Sequence, residues 1–246
     1  MDYIAVAIAP GIAICLYIFY KDVYNREPSF NLIVSFILGC ASILPAIGFE
    51  RAFGYTMDGT IAGVAIFAYA VVAFSEEAGK FIGLRFYSYR QKDFDEPLDG
   101  IVYSLMIGMG FATAENIKYV IEHQAAFGTG MNVGLQRMFT AVPGHATFAV
   151  VMGYFVGKAK FDSKNSMKLM LMGILGAIFL HGTYDFLIFL DQYSYVGEQV
   201  GKGLLTLGAI ASMIISVILS RKLIRHHKNI SQTMFKDKDK NKPGSV

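Results

Sequence analysis

Four short stretches place ionisable side chains at helical spacing inside otherwise apolar runs. In Glu76-Glu77-Ala78-Gly79-Lys80, Lys80 is i+4 from one acid and i+3 from the other, so a single ammonium can reach either carboxylate. Adjacent carboxylates diverge by about 100° around a helix, which gives Glu76 and Glu77 different jobs: one faces a reacting centre, the other braces a neighbour. His181 and Asp185 are again i,i+4, the spacing at which a carboxylate holds an imidazole in one tautomer. Glu115 and Asn116 follow Phe111 by about one turn, and His145 sits in Val142-Pro143-Gly144-His145. Carboxylates and two histidines gathered in a wet cavity suit hydrolysis, with a Glu as general base on water and His or Lys stabilising the oxyanion. A metal version would use His145, His181 and Glu115 as ligands to a divalent ion such as zinc, leaving another Glu as base. The same groups also suit a proton or cation relay in a carrier. Neither a Ser/His/Asp order nor a Gly-rich phosphate loop is present, and residue types alone leave hydrolysis and transport open.

The elements that must position these groups are membrane helices. The chain has 246 residues, 54% hydrophobic and only 17% charged, with a mean hydropathy of +0.45. Soluble domains carry about 25% charge. The apolar runs are continuous rather than alternating, which excludes a barrel. Each is close to the roughly 20 residues that a crossing needs. They predict an all-α, polytopic transmembrane bundle of about seven helices, near 3–20, 30–49, 60–84, 99–120, 138–157, 168–190 and 203–220. The first run follows Met1-Asp2, lacks a basic n-region, and reads as a permanent helix rather than a cleaved leader. Residues 1–230 form one integral membrane domain and 231–246 a disordered basic cytoplasmic tail. His123 in an outer loop and His226 and His227 near the tail are expected to be solvated. Cys15 and Cys40 lie inside apolar runs, which excludes a disulfide framework.

Lys and Arg set the orientation. One side collects Lys21, Arg26, Arg85, Arg90, Lys92, Lys158, Lys160, Lys164, Lys168 and the tail cations; the other has only Arg51, Arg137 and Lys202. The N-terminus is therefore outside and the C-terminus cytoplasmic, in a multi-pass cell-membrane protein. The net charge of +3 comes from the tail and argues against nucleic acid. Small residues at four-residue spacing (Gly59/Gly63, Gly79/Gly83, Gly153/Gly157 and Gly197/Gly201) permit close helix approach. Charge within hydrocarbon costs at least about 2.5–3.5 kcal/mol per residue. Because helices three to six alone carry such residues, their polar side chains must converge on one cavity. A rise of about 1.5 Å per residue puts Glu115, His145, His181 and Asp185 at or just outside the midplane, beneath an outer loop over 121–136.

E-E-x-x-K at Glu76–Lys80, F-x-x-x-E-N at Phe111–Asn116, P-G-H ending at His145 and H-x-x-x-D at His181–Asp185 occur in this order, each on its own helix. Together they resemble the PrsW family of bacterial intramembrane proteases, relatives of the CAAX prenyl proteases and bacteriocin-immunity proteins. The resemblance covers about 60–190. The CAAX branch has E-E-x-x-x-R and F-x-x-x-H, whereas this chain has Phe81 and Glu115 at the corresponding positions, which favours the PrsW branch. The resemblance implies cleavage of a single-span, membrane-anchored regulator, an anti-sigma factor, at its outer side. It carries over Glu76 and Glu77 as paired acids and His181 as an essential histidine, with His145 and Glu115 beside them; Lys80, Asn116 and Asp185 support. The rival expectations are a protease of a lipid-modified protein and a non-catalytic or proton-coupled carrier. A carrier predicts broken helices in an inverted repeat, and no repeat is evident in the sequence.

Overall fold

The computed structural model describes residues 2–22, 25–200 and 203–240. Among them all regular structure is helical. Seven stretches are long and apolar enough to cross a membrane: Asp2–Lys21, Ser29–Thr56, Ile61–Arg90, Pro97–Phe127, Gly130–Phe161, Ser166–Tyr193 and Leu204–Met234. These are the seven expected runs, most of them lengthened at their ends. The helices are α1 (Asp2–Lys21), α2 (Ser29–Ala41), α3 (Ile43–Phe53), α4 (Ile61–Ala65), α5 (Phe74–Phe86), α6 (Pro97–Phe127), α7 (Gly130–Phe139), α8 (Ala141–Phe161), α9 (Ser166–Tyr193), α10 (Tyr195–Val200) and α11 (Leu204–Lys240).

The bundle is built around α6. Its apolar window is 94% buried, against 17% for α1 and for the seventh span, so α6 is the axis and those two face lipid. The reason is in the sequence: no charged residue occurs from Gly100 to Ala114. Its start is fixed by Pro97 at the first turn and by a capping box, with the Asp99 carboxylate accepting from the Asp95 and Glu96 amides at 2.8 Å each. Its end is Gly128, at φ +67°, the left-handed stop that glycine adopts without strain. Gly100, Gly153 and Gly157 bring the α6 and α8 backbones together. A Cβ on Gly153 would collide with the Gly100 carbonyl, and one on Gly157 with that of Pro97. The Gly153/Gly157 spacing is thus an interface, whereas Gly83 meets only ordinary side-chain contact.

Two spans are broken where proline dictates. Pro45 cannot donate to the carbonyl of Ala41, and α2 ends at Ala41. Pro143 stands in the same relation to Phe139, the last residue of α7, and falls in the first turn of α8. The third span carries a different irregularity. Ile66–Ala73, between α4 and α5, is a π-helix, whose wider turn shifts the angular phase at which Glu76 and Glu77 leave the helix.

Three expectations need correction. The outer loop over 121–136 is mostly helix: α6 continues to Phe127, and α7 occupies Gly130–Phe139. The helix expected to stop near 220 continues to Lys240, through much of the tail read as disordered; 241–246 lie outside the described residues. Docking explains the extension as far as Ser231, because His227 and Ser231 are both fully buried. His227 is therefore not solvated: it stacks on Tyr154 at 4.2 Å, beside the glycine seam at Gly157. His226 is exposed, as expected, while His123 lies on α6 and lines the cavity described below.

Candidate active site

The third to sixth spans deliver their polar side chains to one place. From α5, Lys80 Nζ donates to Glu77 Oε1 at 2.8 Å and to Glu76 Oε2 at 3.3 Å. It also lies 3.0 Å from His145 Nδ1 on α8 and 4.0 Å from the centre of the Phe111 ring on α6. From α9, His181 sets Nδ1 2.9 Å from Glu77 Oε1 and Nε2 3.1 Å from Asp185 Oδ2. The two imidazoles meet edge to face at 5.2 Å, and Phe148 stacks on His181 at 4.9 Å. Glu76, Glu77, Lys80, His145 and His181 are all buried.

The histidines share a pattern. Each turns Nδ1 inward, toward Lys80 in one case and Glu77 in the other. Each turns Nε2 outward onto a carboxylate: Glu115 Oε2 at 2.9 Å for His145, Asp185 for His181. Glu115 is itself anchored by Arg137 from α7. The guanidinium donates Nη2 to Glu115 at 2.5 Å and Nε to Asn116 Oδ1 at 2.7 Å, and lies over Tyr119. Asn116 in turn donates to the Ala7 carbonyl at 3.4 Å, tying the site to α1. Lys118, a conceivable partner for Glu115 by sequence, instead pairs with Glu122 at 3.0 Å.

One cavity of about 630 Å³ reaches this cluster. Glu76, Glu115, His145, His181 and Asp185 line it, while Glu77 and Lys80 stand behind that lining. The divergence of adjacent carboxylates around a helix turn thus leaves Glu76 on the cavity wall and Glu77 within the protein. Its lining also includes Met57, Gln136, Gln192, Tyr193 and Thr206, which lie around the connections between spans two and three, four and five, and six and seven. The cavity therefore extends from the cluster to the side where the first span begins. Helix α7, with Val133, Gln136 and Arg137 in the wall, forms the cover expected of a loop.

The residues fit a divalent metal. Glu76, Glu77, His145 and His181 each offer a ligand atom, all within 4.8 Å of one another. Two imidazoles with carboxylates are a zinc donor set. A carboxylate holding the outer nitrogen of each histidine is the usual support for a metal-binding imidazole. Glu77 Oε2 is buried with no hydrogen-bond partner, a lone pair still to be satisfied. Lys80 is the competitor, since its ammonium occupies the same carboxylates. Glu115, considered with His145 and His181 as a ligand, is outside this group of four.

Two participants are not evident from the sequence. Arg137 registers there only as an outer-side cation, and Glu50, at the end of the second span, does not stand out. Their one signal is position, as charges beside the ends of apolar runs on the side where cations are scarce.

Seven crossings, a buried carboxylate–histidine cluster and a cavity leading to it define a polytopic membrane hydrolase. Residues 27–220 match the model of the PrsW family intramembrane metalloproteases, and the chain belongs to that family. It is 35% identical over 185 residues to "Protease PrsW" of Geobacillus kaustophilus (strain HTA426), covering 75% of this chain and 79% of that protein. "Protease PrsW" of Bacillus subtilis (strain 168) is 35% identical over 188 residues, covering 75% and 82%. That of Clostridioides difficile (strain 630) is 31% identical over 194 residues, covering 78% and 81%. No solved structure matches the chain. The chain is thus a peptidase, embedded in a bacterial membrane by multiple spans and acting on protein substrates.

Proposed function

We propose that this peptidase cleaves a single-span, membrane-anchored regulator of the anti-sigma-factor kind in its outer juxtamembrane segment. The supporting observation is the position of the cluster: it lies at the inner end of a cavity that extends to the side where the first span begins. The paucity of Lys and Arg on that side makes it the external one. An outer juxtamembrane peptide reaches such a cavity directly, whereas a cytosolic prenylated tail would have to enter from the opposite face.

In this reading Glu77, His145 and His181 would hold a divalent metal, leaving Glu76 as the free carboxylate; the metal would supply Lewis-acid polarisation of the scissile carbonyl and acidify water. The chain's own residues do the rest. Glu76, on the cavity wall, takes the proton from the attacking water and passes it to the leaving amine. Glu77, buried behind it, fixes Lys80 and His181. Asp185 and Glu115 hold the outer nitrogens of the two histidines, so that neither ring can turn. The apolar walls at Phe67, Val72 and Phe148 restrict water around the scissile bond.

Co-expression with candidate single-span regulators tests this. Wild type should release the outer fragment, while Glu76→Gln and Glu77→Gln should insert normally and release none. Cleavage confined to the cytoplasmic side of the substrate, or full cleavage by both variants, refutes the proposal.

A further inference from the structure

The acids that line the cavity differ in how they are neutralised. Glu76 pairs with Lys80 at 3.3 Å, Glu115 with Arg137 at 2.5 Å, and Asp185 with His181 at 3.1 Å. Glu50, from the last turns of α3, is the exception. It lines the cavity, and a narrow crevice beside it shared with Glu76, Glu115 and Lys118, yet it has no ion pair or hydrogen bond among the described residues. Lys118, the cation that shares this crevice, is already committed to Glu122 at 3.0 Å. Glu50 is half-buried, so its charge is only partly hydrated.

We infer that Glu50 is a specificity-determining residue that receives a Lys or Arg side chain of the substrate. The inference rests on the peptidase reading above and deepens it. A partly desolvated carboxylate without a partner gains more from an incoming cation than a fully hydrated one does. The cavity offers the other half of a basic-residue pocket. Met57, Phe67 and Val72 in its wall are apolar, and the methylene stem of Lys or Arg lies against such surface while its head reaches an acid. An acidic substrate residue at the same place would instead meet Glu50 and Glu76, with the lining cation Arg137 already engaged by Glu115.

The test uses the full-length enzyme in liposomes and a single-span substrate that wild type cleaves. Its outer juxtamembrane positions are replaced one at a time by Lys, Gln or Glu, and initial cleavage rates are compared for wild type, Glu50→Gln and Glu50→Lys. At one position wild type should prefer Lys over Glu by about tenfold or more, equivalent to about 1.4 kcal/mol. Glu50→Gln should bring that ratio to within roughly threefold, and Glu50→Lys should invert it. A misplaced helix would lower all rates alike and cannot invert a charge preference. Should Glu50→Lys fail to insert, the flattened ratio in the near-isosteric Glu50→Gln decides. A wild type without charge preference at any position, or a ratio unchanged in Glu50→Gln, overturns the inference while cleavage of the parent substrate keeps the peptidase reading standing. Failure of wild type to cleave any single-span candidate offered as the parent overturns the proposed reading and this inference with it.

Discussion

Replacing Arg137 by Ala probes how far the site depends on the cation at its outer edge. The guanidinium makes two charge-assisted or polar bonds, to Glu115 at 2.5 Å and to Asn116 at 2.7 Å, and both charged side chains are about 85% buried (15% and 13% exposed). Removing one member of a buried pair costs about 3–5 kcal/mol, because the other is left uncompensated. The residual exposure puts this pair near the lower end, at about 3 kcal/mol. Activity should fall separately. Among the described residues Glu115 is the group that holds the outer nitrogen of His145, and loss of such a support costs about 10–100-fold. Three variants resolve the two effects. Arg137→Ala should lower both thermal stability in detergent and cleavage rate. Arg137→Ala with Glu115→Gln should recover most of the stability, because the orphaned charge is gone, but not the rate. Arg137→Lys, which cannot fork to Glu115 and Asn116 together, should fall between. An Arg137→Ala enzyme as stable and as active as wild type would refute the assigned chain from α7 through Glu115 to His145.

Asp185→Asn should reduce cleavage by roughly 10–100-fold without abolishing it, as expected for loss of a histidine's outer support; steady-state rates on a verified substrate decide, and unchanged activity would sink the role. Gly153→Val should push α6 and α8 apart at the Gly100 carbonyl and lose at least about 1–3 kcal/mol, read as lower folded yield and melting temperature, whereas Gly54→Val, with open space around its Cβ, should not. Glu27, in the connection before α2, is pushed up to about 7 by burial, and Asp22 to about 6. It receives the Tyr103 hydroxyl and faces Asp22, Asp93 and Asp99. Because the folded state then holds a proton that the unfolded chain releases near 4.5, this group's contribution falls as pH rises from about 4.5 to about 7. Glu27→Gln should flatten the decline in melting temperature across that window, and an unaltered profile would contradict it. In a background lacking Cys15 and Cys40, Gln136→Cys should react with an impermeant thiol reagent added outside intact cells; labelling only from the cytoplasmic face would reverse the orientation.

How much of the site is legible in the sequence depends on the cost of charge in hydrocarbon. A Glu, Lys or His within an apolar run has to be explained, so Glu76, Glu77, Lys80, Glu115, His145, His181 and Asp185 stand out, and the structure brings them together. A charge at the end of a run is ordinary, so Arg137 and Glu50 carry no comparable signal although both line the same cavity. The helix breaks at Ala41 and Thr140 have visible causes in Pro45 and Pro143. The π-helix at Ile66–Ala73 has none: nothing in IFAYAVVA departs from an apolar α-helix. Helix α7 is hidden for a similar reason. Gly130, Asn132, Gly134 and Gln136 read as loop residues, yet their helix is retained by burial of Gly130 and Gly134 against α6 and α1.

The cluster is held by alternation of charge as much as by packing. Moving outward from Lys80, the order is ammonium, two carboxylates and an imidazole, a second imidazole, two further carboxylates, then the Arg137 guanidinium. Each layer stabilises the next in a low-dielectric interior, and no single helix contains enough of the series to satisfy itself. Helix α5 brings two acids and one base, α8 and α9 bring imidazoles, α6 an acid, and α7 the outermost cation. Displacing any one of them strands a buried charge on another. The site is therefore complete only when the third to sixth spans are packed together around α6, the most buried of the spans. The segment that sets the angle at which α5 enters that network is the π-helix just before Glu76. It faces α9 through the Tyr69–Thr183 hydrogen bond at 2.9 Å and the close seat of Gly182 against the Tyr69 ring. Because Glu76, Glu77 and Lys80 all follow it on one continuous helix, the winding of this segment sets the phase of the wall carboxylate and of the buried ion pair together.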